Sequence, residues 1–480
     1  MITNDKDNYE VLRPLGQSEK YQLSKMIAGV YNSASFFFRF EVAKPGVVVN
    51  PEYLRRKVYP LVTYWFNNHT FLQMGVTNIH TDTPCYTRFK TLDLTKVVRI
   101  LEVDNFWEPT TIENLMEVMM NDRLPMDETS SPIRLLLCWH RDQPSQFVII
   151  SSYNHLASDG LSFKLLLEGM VVDSEETMDM NPIQTLDSSR FKINEPLEVY
   201  NPHKVGPLKL GTVLAYYNYM PSPIKRYSNS FWAGTKRQEL QQCDSRIRII
   251  SVSMTDFVSF IELCGRHKVT VHNGMYTVIL QSISEVFGVD RALKLKSTTV
   301  VNVRKPCKLV DEDTGIFLSS ISRETIVPPH NLDNPKFFWE ECTKYKLHLR
   351  NRFMDSLLHI GCLAPITDNF PHKMLNYWTK MNRDNPMGRS SSFCISDLGQ
   401  FNMKEKEGSE WICRDLMAGQ TPTISSTALM FSFVGSQLSD HWYGTVSYQR
   451  GAITDSECNQ LVEVIERNIK RCLTLGMNKL

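Results

Sequence analysis

The first group with chemical promise is a single histidine. In FVIISSYNHLASDGLSF, residues Phe147 to Phe163, His155 directly follows an apolar run, and Asp159 and Gly160 come shortly after it. An ordinary imidazole titrates near pH 6.5, so it can take up a proton at neutral pH and return it. That suits a reaction in which a hydroxyl or amine loses a proton while attacking an electrophile. The spacing alone carries little. With 12 His and 25 Asp in 480 residues, about 0.6 His-x3-Asp pairs arise by chance. The context carries more: a β-prone run precedes His155, and a glycine and a helix-like run follow. The imidazole therefore lies on a short loop held by two rigid elements, where functional groups tend to sit. Such a histidine is either a base or a satisfied structural group. By spacing alone, Asp159 could partner it as a dyad.

Other polar groups are weaker candidates. His267 and His272 have His-x4-His spacing but no Glu or Cys companions, so no metal site is expected. His140 ends a strand-like run and reads as a core or surface residue. Lys380, Arg383 and Arg389 could meet phosphates, or form an ordinary solvated loop. Ser396 and Gly399 lie on a β-prone stretch around Phe393-Cys394-Ile395. Gly399 lacks a Cβ and allows close approach or a positive φ. Ser396 and the amides near Gly399 could donate to a developing oxyanion, or the strand could simply pack.

The elements that must position these groups follow from hydrophobic pattern. Phe36–Val42 reads as a strand, its phenylalanines as core, and Pro51–Phe66 as a helix with proline in its first turn. Ile133–Trp139 and Phe147–Tyr153 flank Arg141-Asp142-Gln143-Pro144 and read as a hairpin. Leu161, Leu165, Leu166 and Met170 lie at helical spacing. Before Phe36 the chain reads as a polar tail. Residues 173–244 start acidic and carry six prolines, which predicts a long crossover between a first unit, 1–172, and a second, 245–480. The second unit restarts with a strand at Arg246–Val252, a helix at Val271–Phe287 and a strand at Thr298–Val303 ending in Arg304. Near its end, Ala428–Gly435 and Trp442–Tyr448 form another hairpin. A last helix opens with a Thr454/Glu457 capping box and carries the stripe Leu461, Ile465, Ile469 and Leu473. That stripe packs on a sheet, or Arg467, Lys470 and Arg471 bias the helix toward an anionic membrane surface.

Composition sets the class. A 42% hydrophobic and 22% charged chain is globular. Its net charge of +1 supplies no global field for phosphate backbones, so no nucleic-acid partner is expected. Eleven cysteines without a CxxC pair read as reduced thiols. The polar N-terminus lacks a secretory pattern, and no apolar window is long enough to span a bilayer. The expected place is the cytoplasm, or peripheral attachment to the endoplasmic reticulum or lipid droplets.

Three segments resemble the fungal alcohol O-acetyltransferase family, within the chloramphenicol-acetyltransferase-like superfamily. Tyr153 through Ser162 resembles its HxxxDG loop. Gly388-Arg389-Ser390 through Ile395–Phe401 resembles its S-N-x-G-x-F segment, with Asp397 where Asn is usual. Met430 to Leu473 resembles its closing strand–turn–strand–helix. The resemblance implies an α/β (α+β) fold of two similar subdomains, each a mostly antiparallel sheet with helices on its faces. A channel would run through their interface with His155 midway, coenzyme A entering one mouth and the acceptor the other. It further implies direct attack in a ternary complex with His155 as base. Asp159 would point away from the histidine into an ion pair with an arginine of the second half, for which Arg304 is the candidate. Gly160, Ser396 and Gly399 would line the channel. Acetyl-CoA would be co-substrate to a monomer with no resident cofactor. Three readings remain open: acetyl transfer to an alcohol, to a long-chain amine of sphingoid type, or a non-catalytic binding protein that keeps the fold.

Overall fold

The computed structural model describes residues 8–168, 181–228, 230–236, 243–288, 291–329, 335–401, 410–436 and 439–477. Its organising strand is Ala34–Val42, in which successive side chains point to opposite faces. Phe36, Phe38 and Phe40 enter one core cluster with Leu54, Val58, Val62 and Trp65 of the Pro51–Asn68 helix. Phe37 enters another, with Met116 and Met120 of the Pro109–Asn121 helix. The strand is thus covered on both faces, which is why it reads as an unbroken aromatic run. Asn50 starts the Pro51–Asn68 helix by accepting the Tyr53 amide at 2.8 Å, with Pro51 at the first helical position.

Two mixed sheets carry the fold. The five-stranded sheet runs Trp411–Gln420, Ala34–Val42, Gln146–Tyr153, Ile133–Trp139, Val98–Glu102, antiparallel except for the last pair. The six-stranded sheet runs Ser245–Ser253, His441–Gln449, Thr427–Ser436, Ser391–Phe401, Leu293–Asn302, Leu318–Val327. Ser391–Phe401 lies parallel to both neighbours, and the other pairs are antiparallel. Helices Met254–Arg266, Val271–Phe287, Pro335–Gly361 and Asp455–Met477 cover the second core.

The anticipated hairpins and the Val271–Phe287 helix are present. The supposed polar tail is instead structured beyond residue 8, with a strand at Tyr9–Pro14 and a helix at Gln17–Ile27. Leu23 and Met26 anchor that helix in the core, a pattern too short and too interrupted by polar residues to read from sequence. Trp411–Gln420, from the part of the chain read as the second unit, pairs with Ala34–Val42 of the first. The described part of 173–244 holds a short strand, Ile183–Thr185, and helices, among them Pro207–Tyr219 and Ser222–Ser228, and part of that stretch lies outside the described residues, as does Met170. The final helix buries Leu461, Ile465, Ile469 and Leu473, and its Arg467 pairs with Glu285 of the Val271–Phe287 helix. No helix among the described residues is long and apolar enough to cross a membrane.

Candidate active site

The histidine loop is fixed at both ends. At the end of Gln146–Tyr153, the Asn154 amide donates to the Pro132 carbonyl at 2.8 Å. The Asn154 side chain accepts the Leu156 amide at 2.8 Å, and Tyr86 donates its hydroxyl to the Leu156 carbonyl at 2.8 Å. Asp159 then starts the Gly160–Glu168 helix, accepting the Ser162 amide at 3.0 Å in the manner of an N-cap. Tyr153 stacks on Phe163 at 3.5 Å between ring centres, clasping strand end to helix start.

Asp159 is fully committed. Its Oδ2 accepts Arg304 Nη1 at 2.8 Å and the Phe317 amide at 3.0 Å. Its Oδ1 accepts Arg304 Nη2 at 2.9 Å and the Ser162 hydroxyl at 3.0 Å. Arg304 also donates Nε to the Asp313 carbonyl at 2.9 Å, and its guanidinium lies over the Phe317 ring. Both partners are buried, at 3% and 1% exposure. This two-pronged pair joins the histidine loop to the second half. No hydrogen bond links Asp159 to His155, so a dyad is absent.

His155 lines a cavity of about 1250 Å³ between the two halves. That exceeds the usual 300–1,000 Å³ of a one-ligand pocket and leaves room for two substrates. The His155 Nδ1 is buried with no hydrogen-bond partner among the described residues, and the backbone of His155 and Ser158 faces the ring. Burial first, and the Lys25 cation second, pull the imidazole down to about 4, against the opposing charge of Asp159. The ring is therefore neutral at neutral pH.

Gly160, Ser396 and Gly399 all line the same cavity. A Cβ on Gly160 would stand 2.6 Å from Leu398 Cδ2, so the glycine lets the helix start approach the Ser391–Phe401 strand. Gly399 has φ +67°. Its amide is not available as an oxyanion donor, because it donates to Asp397 Oδ1 at 2.9 Å. Asp397 also accepts from His272 Nδ1 at 2.8 Å, and His272 Nε2 meets the Tyr345 hydroxyl at 3.1 Å. Burial would raise the Asp397 carboxyl, but the His272 bond and charge and the Gly399 amide outweigh it and hold the group below the usual carboxylate range. An aspartate where the resembling family has asparagine thus serves the His272 bond.

The other sequence candidates are used elsewhere. His267 stacks on Trp339, away from the bonds of His272, and the described residues hold no cluster fit for a metal. His140 accepts the Asp142 amide at 2.9 Å. Arg389 is buried and donates to the Ala233 and Thr235 carbonyls at 2.8 Å, and Arg383 pairs with Asp384. Of these three basic residues, only Lys380 lines the cavity.

Sequence reasoning missed Lys25, Tyr31 and Ser432. All three line the cavity, and the Tyr31 and Ser432 hydroxyls are buried without partners. The Tyr31 ring lies 6.1 Å from the His155 ring. Ser432 is the register partner of Ser396, a relation readable only once the parallel pairing is known.

No family model and no curated protein sequence matches the chain. Solved structures do. The TRI3 trichothecene 15-O-acetyltransferase from Fusarium sporotrichioides superposes with a TM-score of 0.72 at 12% identity, over 98% of this chain and 97% of that one. The epimerization domain from the third module of tyrocidine synthetase B gives 0.58 at 12%, over 98% and 99%. The wax ester synthase/diacylglycerol acyltransferase from Marinobacter aquaeolei VT8 gives 0.57 at 10%, over 97% and 100%. At such identities the likeness is one of fold, a two-half α/β architecture that this chain shares with these proteins.

Proposed function

We propose that the protein is an acetyl-CoA-dependent acetyltransferase acting on a hydroxyl, of the fungal alcohol O-acetyltransferase type, with His155 as general base. The observation that carries this reading is a neutral histidine on a rigid loop inside a two-substrate cavity, beside an aspartate wholly engaged by Arg304. With Nδ1 buried, the other ring nitrogen is left for the acceptor. In the reaction it takes the acceptor proton as the oxygen attacks the thioester carbonyl. A C–O bond forms, the tetrahedral oxyanion collapses, the C–S bond breaks, and the imidazolium returns the proton to the departing thiolate. Ser396 on the facing strand, its hydroxyl unbonded to any described residue, is the proposed oxyanion donor.

The cavity's charge supports an anionic donor such as coenzyme A. Its lining holds Lys25, Lys296 and Lys380, together with Lys373, which pairs with Asp368, and Arg304, which pairs with Asp159, against only Asp159 and Asp397, both already bonded. Similarity to an O-acetyltransferase and a wax ester synthase supports oxygen as the acceptor atom. Contact with a lipid surface is supported by Leu208, Tyr219 and Tyr227. They are exposed on two helices of the crossover, one of which turns Val213 and Leu214 into the cavity.

The test is a mass-spectrometric screen of purified protein and acetyl-CoA against pooled alcohols and long-chain amines, run beside His155→Ala. Acetylated alcohol from the wild type, lowered about 10²–10⁴-fold in the variant, is the expected result. Equal turnover in the two proteins removes His155 from the mechanism, and acetylation confined to amines overturns the choice of hydroxyl.

A further inference from the structure

Lys25 lines the cavity but has no part in the proton transfer assigned to His155. It sits in the last turn of the Gln17–Ile27 helix. Its ammonium lies 4.8 Å from the Tyr21 ring centre and 5.6 Å from that of Tyr31, held between two aromatic faces. Such faces orient a cation without neutralising it. Among the described residues it has no ion-pair or hydrogen-bond partner, and the helix C-terminus offers only partial charge. The acids that could have served it are taken: Asp159 by Arg304, and Asp397 by His272 and Gly399. The hydroxyl of Tyr31, whose ring the ammonium faces, is buried and unpartnered, and Tyr31 too lines the cavity. Burial pulls the ammonium down to about 8, opposed by Cys394, so at neutral pH it is still mostly charged.

A half-buried cation without a counter-ion and a buried hydroxyl without a partner, on the same aromatic cluster, each carry a cost that a protein sheds easily by substitution. Their retention in a binding cavity points to a ligand that completes them. We propose that Lys25 and Tyr31 form a specificity site for a carboxylate carried by the acceptor near its reacting group. The ammonium supplies the counter-charge and the phenol a second hydrogen bond. An acceptor with an acid group is then favoured over a neutral alcohol, and an amine with no acid group is disfavoured beside the fixed positive charge. A bound carboxylate also offsets the Lys25 charge that holds the His155 imidazole down, making the base stronger when the correct acceptor is in place. This inference rests on the acyl-transfer reading for the identity of the acceptor, but its binding test does not.

The experiment compares 2-hydroxyoctanoate with 1,2-octanediol, two probes of like shape that differ in charge. Calorimetric binding to the full chain is measured for wild type, Lys25→Met and Tyr31→Phe. Acetyl transfer to each probe is measured in parallel. Wild type should bind the hydroxy acid about 10–100-fold more tightly than the diol, the usual worth of a charge-assisted hydrogen bond. Lys25→Met should abolish that preference, and Tyr31→Phe should reduce it. Lys25→Met should also melt higher than wild type, since an unpartnered ammonium becomes a methyl. That gain shows that the variant is folded. Equal binding of the two probes by wild type, or an unchanged preference in Lys25→Met, overturns the proposal. So does a variant that loses only acetyl-CoA affinity, or that slows both probes equally. Preferential binding without any acetyl transfer would uphold the carboxylate site while sinking the acyltransferase reading.

Discussion

Asp159→Asn replaces one carboxylate oxygen by an amide nitrogen in a place with no room for a donor. Oδ1 accepts from the Ser162 amide and hydroxyl and from Arg304, while Oδ2 accepts from Arg304 and the Phe317 amide. Whichever way the new amide turns, its NH2 meets N–H donors. Arg304, 1% exposed, keeps its charge and loses the partner that compensated it. Removing one member of a buried pair costs about 3–5 kcal/mol. Unfolding entropy of about 2.1 cal/mol/K per residue, over the whole chain, is roughly 1 kcal/mol/K. Scanning calorimetry should then show a melting temperature about 3–5 °C lower if the chain melts as one unit, and about twice that in the affected half if the halves melt separately. Turnover should fall as well, because the pair fixes the loop that carries His155. The double variant Asp159→Asn/Arg304→Met should recover part of the loss, as no lone charge remains. A single variant melting within 1 °C of wild type would refute the argument that this pair holds the halves together.

The remaining expectations concern pH, the facing strand and one glycine. With His155 held at about 4, its active neutral form persists down to that pH, so the acid limb of kcat/KM should lie well below the ordinary histidine value near 6.5. Lys25→Met should move that limb upward, and an unmoved limb would separate Lys25 from the base. The same depressed group adds stability above pH 6.5 that is lost as pH falls from there toward 4, which His155→Gln should flatten in a pH series of melting temperatures. Ser396→Ala should lower kcat about 10²–10³-fold with little change in melting temperature if its hydroxyl meets the oxyanion; a joint loss of rate and stability would assign it to packing. Gly399→Ala should destabilise by about 1–2 kcal/mol through its positive φ alone, because nothing lies within 4 Å of the new methyl. Retained stability there would show that the turn can rearrange.

What could be read from the sequence was local. The His155 loop lies between a strand and a helix that announce themselves within twenty residues, and Arg304 lies two residues beyond a strand of clear pattern. What could not be read was the choice of distant partners. Lys25 and Tyr31 sit in a stretch whose few apolar residues look like an ordinary polar tail, and only the fold turns them toward His155. The Gly399 amide looked free because the side chain that takes it is the aspartate two residues earlier. Trp411–Gln420 has a recognisable strand composition, but nothing in it names Ala34–Val42 as its neighbour. The Arg39–Asp415 pair that accompanies this match is formed by two unremarkable surface-type residues.

That borrowed strand has a consequence during synthesis. Ala34–Val42 leaves the ribosome early, but one of its two edges stays unpaired until Trp411–Gln420 follows it. At about 5–20 residues per second, the wait is roughly 20–75 s. For that time the nascent chain presents an aromatic strand edge, FFFRF, of the kind that recruits other strands. The first sheet therefore cannot close co-translationally as a unit, and a chaperone able to shield that edge until translation ends should decide how much of the newborn protein escapes aggregation.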